Sequence, residues 1–326
     1  MAIFSRIGLQ GAFTIAHVIV AVMWMGLLWF FNFVQTPAYA EMDGAARNNA
    51  FDKLTWRALW WFRWAAAATV AFGVIIIGVA PKDTFGGDFW KSTAGVTLLI
   101  GILFGITWIG LLYFFNVVQV PAYAEMEAAA RSEALRKLTS RALWWFRWAA
   151  VMTMASGLLM WAIAGSDYKP STSLGLSITF GSILGLTMGA NVWMFIWPNQ
   201  KINIASAEAV AAGGQPDPAA AGAAKLAGRA SRVNTFFSIP MLFFMVFTTH
   251  FAPNFKDPGG SAVVVWILFV LIWAGAELSA LGKLGGLDNP FCVKVLNDHK
   301  MTIYAGLGAL VVLYLVGWEI VIGGIH

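Results

Sequence analysis

The sequence contains one cysteine, Cys292, and only four histidines in 326 residues. A single cysteine excludes an internal disulfide, a zinc site built from cysteines and a C-x-x-C-H attachment of c-type haem in this chain. Charged residues make up only 11% of the chain, whereas hydrophobic residues make up 59%. A soluble globular domain has far more charge and less apolar surface than this. The composition therefore indicates a protein embedded in lipid.

Long hydrophobic runs are abundant. A bilayer core requires roughly 20 apolar residues per helix, and eight such runs lie near 12–35, 58–80, 93–116, 142–164, 175–197, 232–252, 262–282 and 302–323. A β structure is excluded because the runs are too long and because lipid cannot satisfy backbone polar groups. We predict an all-α polytopic membrane protein with eight helices, forming one transmembrane domain over residues 1–326.

One segment occurs twice. WMGLLWFFNFVQTPAYAEM at 24–42 returns as WIGLLYFFNVVQVPAYAEM at 108–126, and RALWWFRWAA at 57–66 returns at 141–150. The offset is constant, since Pro121 minus Pro37 gives 84. Such a repeat predicts two copies of a helical hairpin. We place them at 12–80 and 93–164, followed by a degraded third copy at 175–252 and final helices at 262–282 and 302–323.

Basic residues are distributed unevenly between the two sets of loops. One set has five, namely Arg6, Lys82, Lys91, Lys169 and Lys256, which leaves 21 − 5 = 16 for the other set and its helix ends. The positive-inside rule places the richer set in the cytoplasm and both termini on the outer side of the membrane, which is the periplasmic side if the membrane is a bacterial inner membrane. The net charge of +5 then needs no nucleic-acid partner. The Ala-, Gly- and Pro-rich stretch at 203–230 is interpreted as a flexible cytoplasmic connector.

Two histidines lie within the apolar spans. His17 is near the start of the first helix and His250 ends the sixth, so the topology brings both to one depth on the periplasmic side. Facing imidazoles suit a b-type haem, or a copper site as the alternative. Each histidine could instead hydrogen-bond a neighbouring helix. We predict His17 and His250 as cofactor and metal ligands.

Polar groups cluster at the cytoplasmic ends of the first four helices. They are the amides Asn32, Gln35, Asn116 and Gln119 and the arginines Arg57, Arg63, Arg141 and Arg147. The amides could bond helix carbonyls, and the arginines could reach lipid phosphates. As a set they could also bind a planar anion, because guanidinium groups suit such ligands. Glu277 is an acid inside an apolar run, which makes it the candidate catalytic or proton-transfer group.

These motifs resemble a known family. His17 in AHVIVAVMWMG, the doubled FFNxVQxPAYAEM, the WWFRW pair, IWPNQ and NTFFSIPMLFFMV are together similar to the membrane domain of bacterial integral-membrane urate hydroxylases. The resemblance covers essentially the whole chain. It implies oxidation of urate to 5-hydroxyisourate with electrons passed to cytochrome c. In that family a cytochrome c domain follows the membrane domain, whereas this sequence stops at His326, so we expect a separate periplasmic cytochrome c or a larger redox complex as partner.

Three classes of function remain open. The first is a urate-hydroxylase-type redox enzyme, and the second is a haem-binding or structural subunit of a respiratory or photosynthetic complex. The third is a transporter, which duplicated hairpins also permit. Transport is disfavoured because the two clear repeats run parallel and signs of broken helices are sparse.

Overall fold

The computed structural model describes residues 5–79, 92–164 and 168–325. Within these ranges eight helices are long and apolar enough to cross a membrane, and β structure is limited to an isolated bridge between Phe255 and Ile325. The helices are α1 (Gly8–Ala40), α2 (Gly44–Ile76), α3 (Thr93–Glu125), α4 (Ala128–Ile163), α5 (Ser173–Ala211), α6 (Ala220–Thr248), α7 (Gly259–Ala280) and α8 (His299–Val321). The predicted all-α polytopic fold is confirmed. Lys82, Lys91 and the end of the first predicted repeat at residue 80 lie outside the described residues.

Segments of π-helix recur at equivalent positions of α1–α4. Phe30–Gln35 in α1 matches Phe114–Gln119 in α3, and Phe51–Thr55 in α2 matches Leu135–Thr139 in α4. A proline follows the π segment of α1 and α3, as it follows Val192–Ile196 in α5. Proline lacks the N–H that would continue the helical ladder, and π turns accommodate such interruptions, often at functional sites. The polar residues of these segments are therefore placed by an irregular backbone.

The two hairpins pack on each other through equivalent residues. Gly26 and Gly110 lie against each other backbone to backbone, so that a Cβ on either would clash with the other. One turn further on, the rings of Phe30 and Phe114 stack at 3.8 Å between centroids. Contacts of each residue with its own repeat partner are those of a two-fold arrangement. The hairpins are thus related by a pseudo-two-fold axis that passes between α1 and α3.

Helix α6 is the central helix of the second half. In its most apolar window 78% of the residues are buried, compared with 17% for α7. It packs chiefly against α5 and α8 and also touches α1 and α3. Polar side chains on α6 are consequently enclosed by protein.

The stretch at 203–230 is not a flexible connector, and that interpretation was wrong. Helix α5 continues to Ala211 and α6 already begins at Ala220, leaving only a short link at 212–219. Alanine has the highest helix propensity, so an Ala-rich stretch favours helix wherever glycine or proline does not intervene. Gly213, at φ +84°, ends α5 in a left-handed conformation that suits glycine.

Candidate functional site

A cavity of 480 Å³ lies where α3, α4, α5 and α6 meet the segment before α8. We call this the amide–arginine cavity. Its amide lining consists of Asn116, Gln119, Gln200 and Asn297, and its charged lining of Lys225, Arg229, Arg232 and Asp288. The volume is in the range of about 300–1,000 Å³ that small-molecule sites occupy. It lies at the end of the bundle where the basic loops gather.

The two arginines on its α6 wall are buried. Arg229 and Arg232 are each 7% exposed and lie one helical turn apart. Arg229 Nη1 donates to the Cys292 carbonyl at 2.8 Å. Arg229 Nε and Arg232 Nη1 are buried donors for which no described residue supplies an acceptor. Burying a cationic group destabilises the fold unless an anion or a hydrogen-bond acceptor pairs with it.

The rim of the cavity carries its remaining charges. Lys225 Nζ donates to Asp288 Oδ2 at 2.6 Å, and both side chains are exposed. The hydrogen bond from Lys225 holds the pKa of the Asp288 carboxyl below its usual range. The described lining holds three basic groups and one acid, so it is net positive. Asp288 also interacts electrostatically with Arg229, and Asp298 does so with Arg232.

Hydrogen bonds fix the two amides on the α3 wall. Asn116 Nδ2 donates to the Leu112 carbonyl at 2.9 Å and to Ser231 Oγ on α6 at 2.8 Å. Gln119 Oε1 accepts from Thr139 Oγ1 at 3.3 Å, and Thr139 Oγ1 is 2.8 Å from the Tyr123 hydroxyl. Asn116 and Gln119 are 2% and 7% exposed. Both predicted residues therefore line a polar cavity in a defined orientation.

Their counterparts in the first repeat lie elsewhere. Asn32 is exposed and donates to the Leu28 carbonyl of its own helix, and Gln35 accepts from Thr55. Neither lines the amide–arginine cavity. The difference arises because α6 covers α3 at Asn116, whereas Asn32 faces outwards.

The four predicted arginines also lie outside the cavity lining. Arg57 and Arg141 each pair with a glutamate of the other repeat, at 2.7 and 2.8 Å. Arg63 is exposed. The Arg147 guanidinium carbon lies 3.9 Å from the centroid of the Trp197 ring. Of the eight predicted substrate residues, the structure brings only Asn116 and Gln119 into the cavity.

Glu277 takes part in a polar network between helices. Its Oε2 accepts from Asn191 Nδ2 at 3.1 Å, and the same nitrogen lies 2.9 Å from Asn234 Oδ1 on α6. Asn191 and Asn234 are fully enclosed, at 1% and 0% exposure. Glu277 does not line the cavity, so its catalytic role stays a prediction.

The structure gives the two predicted cofactor histidines separate partners. His17 Nδ1 is 2.8 Å from the Thr69 carbonyl of α2, and its ring lies beside Gly73. The helical run of α6 continues to His250, an exposed residue whose Nδ1 is 3.1 Å from the Val246 carbonyl. An apolar cavity between α1 and α6 in this region measures only 60 Å³, well below the ~300 Å³ at which cofactor sites begin. The residues as placed do not enclose a haem, and haem b and copper stay predictions.

Sequence reasoning missed the basic wall of the cavity. Lys225, Arg229 and Arg232 are spaced i, i+4 and i+7, which places them on one face of a helix. The spacing was visible in the sequence. The i, i+4, i+7 spacing predicts a shared face only if the segment is a regular helix, and 203–230 was interpreted as a flexible connector.

Fold and cavity together define a polytopic helical membrane protein with a polar, basic cavity between its helices. Residues 171–278 match the family model described as urate oxidase N-terminal. The matched range includes Gln200, Arg229 and Arg232. It agrees with the resemblance drawn from the motifs, so this part of the chain is similar to the urate oxidase N-terminal family. No curated protein and no solved structure matches the chain.

Proposed function

We propose that the protein binds urate in the amide–arginine cavity and oxidises it to 5-hydroxyisourate. The observation that carries this proposal is the pair Arg229 and Arg232, which are buried with donor atoms that no described residue satisfies. Urate is an anion near neutral pH, so it supplies a counter-charge and acceptor atoms to these buried guanidinium groups. The family match over 171–278 supports urate over other planar anions.

The reaction balances with water and a one-electron acceptor. Urate and water give 5-hydroxyisourate, two protons and two electrons, because one C–O bond forms at the ring carbon that is oxidised. Two ferric c-type cytochromes, or an equivalent centre of a larger redox complex, accept the electrons. Arg229 and Arg232 hold the negative charge of the substrate, and Asn116, Gln119 and Gln200 fix its ring.

Glu277 is the proposed carrier for a released proton. It is joined through Asn191 to Asn234, and Asn234 follows Arg232 by two residues on α6. The link places a carboxylate at the end of a hydrogen-bonded connection to the arginine-bearing helix. A role in proton transfer fits an acid within a membrane span.

The proposal includes an orientation. With eight spans, the start of α1 and the end of α8 share one face, as the bond from Lys256 N to the Gly324 carbonyl and the contact of Gly11 with Phe251 both support. The basic residues gather at the opposite end. We therefore propose a bacterial inner-membrane protein that takes up urate from the cytoplasm, with both termini in the periplasm.

The test is urate-dependent reduction of added ferric cytochrome c by membranes that contain the chain. Wild-type membranes should reduce two cytochromes per urate consumed and release 5-hydroxyisourate. Arg232→Ala should abolish the reaction, whereas Arg63→Ala, which removes an exposed arginine, should retain it. If folded wild-type protein shows no such reduction and co-purifies stoichiometrically with a larger redox complex, the accessory-subunit function replaces this one.

A further inference from the structure

We infer that the cavity selects a planar anion whose ring edge carries an N–H beside a carbonyl, as cyclic ureides do, and that Asn116 and Gln119 recognise this edge. The inference rests on the proposed function in treating the cavity as the substrate site. It adds a donor and acceptor pattern that charge alone does not specify.

Asn116 presents an acceptor. A side-chain amide nitrogen has two hydrogens, and those of Asn116 are committed to the Leu112 carbonyl and Ser231 Oγ. No described residue donates to its Oδ1. Because the side chain is 2% exposed, its orientation is fixed by these two bonds. The carbonyl oxygen is left to accept an N–H from a ligand.

Gln119 presents a donor. The Tyr123 hydroxyl donates to Thr139 Oγ1, and Thr139 donates onward to Gln119 Oε1. Because Oε1 accepts from Thr139 and Gln119 lines the cavity, we assign the Nε2 hydrogens as donors to a carbonyl or oxyanion of the ligand. Thr139, which also lines the cavity, positions Gln119 directly, and Tyr123 positions Thr139.

The two amides lie three residues apart in the π segment Phe114–Gln119. Both line the cavity, so α3 supplies an acceptor and a donor to it, while Arg229 and Arg232 supply positive charge from the α6 wall. A flat ring with adjacent N–H and C=O groups and one negative charge satisfies both walls. A planar anion without a ring N–H satisfies only the arginines.

The first repeat provides matched controls. Tyr39, Thr55 and Gln35 form the same hydroxyl–amide chain, at 2.9 and 3.3 Å, and Asn32 makes the same bond within its own helix. Neither Asn32 nor Gln35 lines the cavity. Substitutions at these positions perturb an equivalent helix segment without changing the proposed site.

The experiment is equilibrium dialysis of the purified full-length chain with four kinds of probe. They are urate, its mono-N-methyl derivatives, orotate as a non-oxidisable anion with the same ring edge, and benzoate as a planar anion without it. Wild type should bind urate at least about tenfold more tightly than the derivative methylated at the contacted nitrogen, and orotate more tightly than benzoate. In Asn116→Leu both preferences should fall to near unity, and in Asn32→Leu they should persist.

A second, more conservative pair of variants tests the inference in case Asn116→Leu does not fold. Thr139→Val should weaken the preference for orotate over benzoate, because Gln119 is no longer oriented, whereas Thr55→Val should not. Unchanged preferences in both Asn116→Leu and Thr139→Val would overturn the inference, even if urate is oxidised. If urate is not oxidised but the preferences follow Asn116 and Thr139, the inference stands and the oxidation proposal fails. If folded wild type binds no probe, both are overturned.

Discussion

Arg57 of the first repeat donates to Glu125 of the second at 2.7 Å. Adding the repeat offset to Arg57 and subtracting it from Glu125 gives Arg141 and Glu41, which form the reciprocal pair at 2.8 Å. Each hairpin thus reaches into the other through the same residue types. These arginines join the two hairpins and lie outside the amide–arginine cavity.

We expect Arg57→Ala and Arg141→Ala to have equal and small effects. Both pairs are partly exposed, so each substitution should lower the free energy of unfolding by about 0.2–1 kcal/mol. Urate binding should be unchanged in both. Thermal unfolding and urate binding of the two variants check this. Loss of urate binding in either variant would mean that the substituted arginine belongs to the substrate site.

Gly110→Ala should disrupt the hairpin interface. The added Cβ would clash with the backbone of Gly26, and relieving such a clash costs about 1–3 kcal/mol. Gly185→Ala is the control, since nothing lies within 4 Å of its position; it should be neutral or stabilising. The melting temperatures of both variants in detergent measure the effect. Equal melting temperatures would mean that the two helices do not approach as closely as described.

Cys292 should resist thiol reagents in the folded protein. It is buried, and burial raises the pKa of its thiol. A thiol whose pKa is higher in the folded than in the unfolded state destabilises the fold as pH rises through its ordinary pKa. Maleimide labelling should therefore be slow at neutral pH and complete after denaturation. Rapid labelling of the folded protein would contradict the burial of this residue.

The cofactor prediction is checked by a visible spectrum. If His17 and His250 hold haem b, the purified protein should show a reduced b-type band that His17→Ala removes and His299→Ala retains. This requires the His17 ring to leave the Thr69 carbonyl side or to ligate through Nε2. A haem band that survives in His17→Ala, or no band in protein isolated from membranes with haem supplied, would show that the prediction is wrong.

The eight membrane-spanning helices and two residues of the cavity lining, Asn116 and Gln119, could be predicted from the sequence. Hydropathy identifies all eight spans because lipid leaves the backbone few alternatives. The repeat identified Asn116 and Gln119, but it identified Asn32 and Gln35 equally, since near-identical segments carry no sign of which copy α6 covers. Arg229 and Arg232 could not be paired with them, because that contact depends on tertiary packing between residues more than a hundred positions apart.

The most direct test of the account is equilibrium binding of radiolabelled urate to the purified chain and to Arg232→Ala. Removing a buried positive partner of an anion should cost about 3–5 kcal/mol. We expect saturable binding by wild type and by Arg63→Ala, and a loss of at least about a hundredfold in affinity in Arg232→Ala. If Arg232→Ala is folded and binds urate as tightly as wild type, the amide–arginine cavity is not the urate site.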